Sequence, residues 1–364
     1  MRSQLYRRET DANNAARNRS VMKALVKYAP GNGNLDILDV PEPPCGPDQV
    51  KIEVAFCGVC GTDLHVMHDT FPNYPPVILG HEVAGTVVEV GEDVADARPG
   101  ERVAVLGATA VTCGHCEYCR SGFFIFCRKR RGIGHGVNGA FTRYLVARPD
   151  QLYRVPECFS LAEAAITEPF AAVVQAIAEL TPVSIGETAL VSGPGPIGLL
   201  ALKLLVAEGI KTIVAGAPGD GERLEAAKRF GAAAVINVGE RNLAEAVRDE
   251  TGGRGADVAF ECAGHPASVR GCLEALRPMG RYTQVAICGR DMEFPIDTVI
   301  FKQLRLQGSI TYTANTWDRV MKIYAQGRIR FEDLISVKLP ITDWRRGFDL
   351  CMDKKALKVL MYPV

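Results

Sequence analysis

The sequence has no surplus of either charge: Lys plus Arg is 42, Asp plus Glu is 42, and the formal net charge is zero. A protein that attracts nucleic acid or an anionic membrane through its general field carries a basic excess, so neither partner is expected. No apolar run reaches the roughly 18 residues that cross a bilayer, because Gly, Pro or a charge interrupts each one. No secretory signal opens the chain, and neither repeats nor low-complexity segments occur. The twelve cysteines are therefore read against a reducing, cytoplasmic setting, where clustered thiols mean metal sooner than disulfides.

What is present points to two domains, since 364 residues exceed one ordinary core. Residues 1–21 are polar, rich in Arg and Asn, and without periodicity. They read as a disordered extension, and the acids Glu9 and Asp11 argue against a transit peptide. From Met22 to about Pro156, short runs such as VKIEVAFCGVC and EVAGTVVEVGEDV are split by Gly and Pro, which predicts a β-rich, partly barrel-like unit. Helical spacing starts near Ser160, where Ser160 and Glu163 form a capping box. From Thr188, strands alternate with helices, which predicts an α/β domain with a doubly wound parallel sheet. The last 50 residues return to mixed texture.

Gly193, Gly195 and Gly198 form G-x-G-x-x-G between a strand and a helix, with Pro196 and Ile197 inside the motif. In such a turn the first Gly allows the bend, the second admits a pyrophosphate to the backbone, and the third lets helix pack on strand. The acid that usually closes the next strand and accepts the ribose hydroxyls is missing, with Gly216 or Ala217 in its place. Asp220 could fold back to the ribose, and Arg223 could instead face a 2′-phosphate. The expectation is NADP, or both NAD and NADP with modest preference.

Cys113, Cys116, Cys119 and Cys127 have the spacing C-x2-C-x2-C-x7-C, which suits a closed, structural Zn²⁺ site. Cys60, His81 and Glu82 offer thiolate, imidazole and carboxylate, a set that fits Zn²⁺ with one position open. Spacing alone does not join them, and Cys57 competes with Cys60.

Taken together, CGTDLH, GHEVAGTVVEVGEDV, the four-cysteine run, TEPFAAVVQAI and SGPGPIGLLA resemble the zinc-containing medium-chain dehydrogenase/reductase family, nearest its sorbitol and threonine dehydrogenase branch. The resemblance covers about residues 22–364. It implies an N-terminal GroES-like, β-rich catalytic domain over 22–180 with a zinc lobe at 113–127. A Rossmann domain over 181–314 and a C-terminal return, 315–364, to the first domain complete the expected plan. It further implies two Zn²⁺ per subunit, with Cys60, His81, Glu82 and Glu168 around the catalytic ion. Thr62 and His65 would relay the proton, and Gly264 would lie near the nicotinamide ribose. The activity implied is hydride transfer between an alcohol or polyol, or a sugar or amino alcohol, and NAD(P), in a homodimer or homotetramer. A zinc-free reductase of the same superfamily would lack Cys60, His81 and the cysteine lobe. A zinc-lobed binding protein would not need the cofactor turn. His68, Tyr74, His135, Asn138 and Arg143 fall in segments that border the substrate cleft in that family.

Overall fold

Along Val50–Gly58 the residues Val50, Ile52 and Val54 face one way and are buried. This period of two is what an extended strand over an apolar core requires. The computed structural model describes residues 20–364. The extension expected over 1–21 lies outside these except at its end. There Val21 already pairs with Pro41, so regular structure begins one residue earlier than Met22.

The chain divides into two units. One runs up to Glu168 and includes Phe331–Val364; the other is Pro169–Arg330. The first holds a three-stranded sheet, with Val21–Lys27 between Leu35–Pro41 and Val77–Ile78. Its larger, seven-stranded sheet places Val50–Gly58 between Lys358–Tyr362 and Glu82–Val90. The C-terminal segment thus returns to the first unit through a strand pairing, Leu360 opposite Gly58 and Met361 opposite Cys57. The core beneath combines Ile52, Val83, Val105, Phe141 and Leu145 with Trp344, Phe348, Val359 and Met361. Burying each such large side chain contributes about 1.5–3 kcal/mol.

The second unit is a six-stranded parallel sheet, ordered Ala234–Asn237, Lys211–Gly216, Thr188–Ser192, Ala256–Glu261, Leu276–Gln284, Arg305–Gly308. In chain order this is 3-2-1-4-5-6, the doubly wound dinucleotide-binding arrangement. The crossover helices begin at Pro196, Gly221, Leu243, Pro266 and Ile296.

The unit boundaries differ from the expected 180/181 and 314/315 for a packing reason. The helix Thr167–Val174 continues as a π-helical stretch to Leu180, and Ala314–Ala325 packs on it. Thr316 donates to Gln175, Arg319 pairs with Glu179 at 2.7 Å, and the rings of Phe170 and Tyr324 stack at 6.0 Å. These contacts draw both helices into the second unit. The capping box forms as expected, with Ser160 Oγ accepting from the Glu163 amide at 3.1 Å.

Candidate metal centre and cofactor turn

Strand register assembles the first site. In the antiparallel pair of Val50–Gly58 and Glu82–Val90, Gly58 stands opposite Glu82. Cys60 lies two residues beyond one strand end and His81 one residue before the other, so the pairing brings them together. Ligand atoms of Cys60, His81 and Glu82 lie within 4.8 Å of one another. Three such donors around one point suit a borderline cation with room for another ligand. Glu168 is outside this group. Its negative charge nevertheless reaches Glu82 and helps to raise that carboxyl.

The surroundings are strongly polar for a buried place. Burial, opposed by Lys358 and aided by Glu168, pushes the Glu82 carboxyl up to about 7. Burial lowers the His81 imidazole, but the negative charges of Asp63 and Cys60 outweigh it and hold the ring well above its ordinary value. Asp63 Oδ1 is 3.6 Å from His81 Nδ1, while Oδ2 accepts the Cys60 amide at 2.9 Å and caps the helix Gly61–Met67. Asp63 therefore ties the Cys60 loop to His81.

Lys358, which the sequence reading passed over, completes this centre. It opens the C-terminal strand, is 2% exposed, and forms an ion pair with the 1% exposed Glu82. It also donates to the Val59 carbonyl at 2.9 Å. Gly58 makes room for the pair, because a side chain there would collide with Glu82 and with the Lys358 stem. A lysine opening an otherwise apolar strand was the available signal.

Thr62 Oγ1 lies 3.7 Å from Cys60 Sγ, and exposed His65 sits one turn on, its Nδ1 3.0 Å from Thr70 Oγ1. Among the other polar residues named from sequence, Asn138 accepts the Ile78 amide at 3.1 Å and Arg143 forks onto Glu53 at 2.9 and 3.0 Å. Both have structural roles. His68 meets Asn32 at 3.0 Å.

In the lobe, the four thiols of Cys113, Cys116, Cys119 and Cys127 converge within 4.8 Å. Cys113 and Cys119 sulfurs are 3.9 Å apart. With Zn–S near 2.3 Å, a tetrahedron has edges of about 3.8 Å, so the set fits zinc without rearrangement. Amides of His115 and Cys116 hold the Cys113 thiol down at about 6, which favours the thiolate a metal needs. All twelve cysteines are free thiols.

In the second unit the glycine turn has the shape its sequence implies. Gly193 has φ +101°, and a Cβ there would lie 2.6 Å from the Ala263 amide nitrogen. Gly198 abuts the Gly193 carbonyl, leaving no space for a side chain. Gly195 faces open space at the N-terminus of Pro196–Ala207 and lends no side-chain cap. The first amides of a twelve-residue helix are thus available to a pyrophosphate. Gly264, with φ +66°, donates to Glu261 at 3.0 Å. At the end of the second strand, a side chain on Gly216 would meet Pro194 and Asp220, which accounts for the missing acid. Asp220 folds back there. Its Oδ2 accepts the Ala217 amide at 3.0 Å, and Arg223 lies 3.8 Å from its Oδ1. Both side chains are buried.

A metal-ligand set and a dinucleotide turn on one chain define a class, the metal-assisted nicotinamide dehydrogenases. The family described as "Alcohol dehydrogenase GroES-like domain" matches residues 46–157, and "Zinc-binding dehydrogenase" matches 196–326. A sorbitol dehydrogenase of Halalkalibacterium halodurans is 35% identical over 344 residues, 94% of this chain and 100% of that one. A D-arabitol-phosphate dehydrogenase of Enterococcus avium is 33% identical over 342 residues, 93% and 97% of the two chains. Among solved structures, 2R,3R-butanediol dehydrogenase from Bacillus subtilis superposes with TM-score 0.85 at 28% identity, covering 94% of this chain and 100% of that one. The chain belongs to the zinc-containing medium-chain dehydrogenase/reductase family, in its sorbitol/threonine dehydrogenase-like branch. It is an NAD(P)-dependent alcohol and polyol oxidoreductase. Among the described residues, no helix is long and apolar enough to cross a membrane.

Proposed function

We propose that the chain oxidises a secondary hydroxyl of a polyol, using one zinc held by Cys60, His81 and Glu82 and a second, structural zinc held by the four-cysteine lobe. The observation that carries the reading is the convergence of those three unlike donors within 4.8 Å. Bound there, zinc supplies Lewis acidity to a substrate oxygen, and the nicotinamide supplies the hydride acceptor. The protein does the rest. Asp63 orients His81, Lys358 balances and positions Glu82, and Glu168 stands by as a carboxylate near the set. The amides beyond Gly195 hold the pyrophosphate, and Gly264 shapes the turn toward the ribose. Metal analysis with a panel of polyols, sugars, amino alcohols and simple alcohols tests the reading. One zinc per chain, or no polyol oxidised with either cofactor, would overturn it. The free thiols fit a reducing, cytoplasmic setting.

Thr62 and His65 carry the departing proton to solvent in this reading. Thr62→Ala or His65→Ala is expected to slow oxidation on the order of 10²-fold near neutral pH, and less at high pH where solvent base substitutes. A pH–rate profile unchanged in both variants removes the relay.

Sequence alone favoured NADP; the position of Asp220 beside Gly216 supports NAD. Its carboxylate lies close to where the missing strand-end acid would stand, and Arg223 is turned onto it instead of outward. One charge-assisted hydrogen bond is worth about 1.5–3 kcal/mol, so Asp220→Ala should lower kcat/KM for NAD by tenfold to a hundredfold. If instead Arg223→Ala depresses NADP use and Asp220→Ala changes nothing, NADP is the cofactor.

The second unit also supports a homo-oligomer. The terminal strand Arg305–Gly308 is exposed throughout, and Ile296, Ile300 and Phe301 (85% exposed) stand out on the preceding helix. An open strand edge beside apolar side chains is a pairing surface. Phe301→Asp is expected to yield monomers in sedimentation analysis. An unchanged mass would place the contact elsewhere.

A further inference from the structure

One wall of the first unit carries polar groups that the reading above leaves unused. The segment 130–135 runs past the metal-capable histidine: the Ile133 amide donates to Gly107 at 3.0 Å, and a Cβ on Gly107 would lie 3.5 Å from the His81 carbonyl oxygen. Tyr74 joins this wall by donating its amide to the His135 carbonyl at 3.0 Å, and Phe71 meets the His135 ring edge-on at 5.2 Å. Beyond them the Arg131 guanidinium lies 4.0 Å from the Tyr74 ring centroid. Stacking holds the guanidinium plane by its face and leaves its N–H edges for a ligand. Among the described residues, no carboxylate pairs with Arg131. Arg130, one residue back, donates to the Ala108 carbonyl at 3.0 Å and adds a second cation.

Two further atoms of the wall are unsatisfied. His135 Nδ1 and Asn73 Oδ1 are buried and have no hydrogen-bond partner. Burial lowers the His135 ring below its ordinary value, which favours a neutral, hydrogen-bonding imidazole there. A buried polar atom without a partner costs about 1–3 kcal/mol, a cost that a ligand hydroxyl would relieve.

We propose that this wall selects a polyol whose far end carries a phosphate, with Arg131 forking onto the phosphate beside Arg130, and His135 and Asn73 meeting hydroxyls along the chain. The open fork of Arg131 suits a phosphate's charge of about −1.5 to −2, and Arg130, next in the chain, adds positive charge to the same segment. The inference rests on Cys60, His81 and Glu82 being the centre at which the alcohol is oxidised.

The test compares D-arabitol, D-arabitol 5-phosphate and the corresponding sugar acid as substrates of the zinc-loaded protein, in the parent, Arg131→Met and Arg131→Lys. Calorimetric binding of the phosphate ester gives a second readout. The expected result is that the ester exceeds the free polyol in kcat/KM by about tenfold to a hundredfold, mostly through KM. Arg131→Met should collapse that ratio and weaken ester binding by a similar factor, and Arg131→Lys should restore part of both. A ratio near one in the parent, a preference for the sugar acid, or a ratio indifferent to Arg131→Met overturns the phosphate assignment while leaving polyol oxidation standing. Failure of all three substrates with both cofactors takes down the oxidation reading and this inference together.

Discussion

Replacing Cys60 with serine is expected to lower the zinc content from two equivalents to one and to cut kcat/KM by about 10³-fold or more. The second number follows from the several kcal/mol that a Lewis-acidic metal contributes to the transition state, at 1.36 kcal/mol per tenfold. The variant should remain folded, because Cys60 sits at a loop end where its serine equivalent keeps the amide bond to Asp63. Cys116→Ser makes the contrast. It removes one of four convergent thiols, and a broken structural site loses binding energy that is also folding energy. That variant should unfold at lower temperature and release the other zinc. Cys60→Ser protein that keeps two zinc equivalents, or turns over like the parent, would place the catalytic metal elsewhere.

Lys358→Met is expected to destabilise the first unit by about 3–5 kcal/mol, the usual cost of leaving one member of a buried ion pair alone. For a unit of this size that corresponds to a fall in Tm of roughly 10 °C. Zinc affinity or turnover should also drop by about 10–100-fold, the common effect of losing a group that orients a metal ligand. The double variant Lys358→Met with Glu82→Gln separates the two effects. Removing the orphaned charge should return most of the stability, while activity stays low because Glu82 is gone as well. A single variant with parental Tm and parental zinc affinity would show that the pair neither supports the fold nor positions Glu82.

The two sites differ in how much of them can be read along the chain. Cys113 to Cys127 needs only a loop to close on itself, so the convergence of its four thiols announces itself by spacing. The glycine turn is equally local, and its three roles at Gly193, Gly195 and Gly198 follow from adjacency to one strand and one helix. Cys60 and His81 are 21 residues apart with no periodic relation, so resemblance to a family suggested their association and spacing did not. The return of the C-terminal segment was likewise invisible to texture, because a short apolar strand such as KVLMYPV can pair with any open edge.

Sequence by itself determined the alternating, parallel α/β order of the second unit, the convergence of the four lobe cysteines and the shape of the glycine turn, since each depends on neighbours within a few residues. Tertiary structure alone decided what depends on register between distant strands. Gly58 opposite Glu82 puts Cys60 beside His81, and Leu360 opposite Gly58 delivers Lys358 to the same carboxylate. A slip of one residue in either pairing would send these side chains to the other face of the sheet, and nothing local to Lys358 or Glu82 records which register holds. The same applies to Asp220, whose approach to Gly216 follows from a tight turn over Pro218, and to the helix Ala314–Ala325. Its place in the second unit was set by what Thr316, Arg319 and Tyr324 found to pack against.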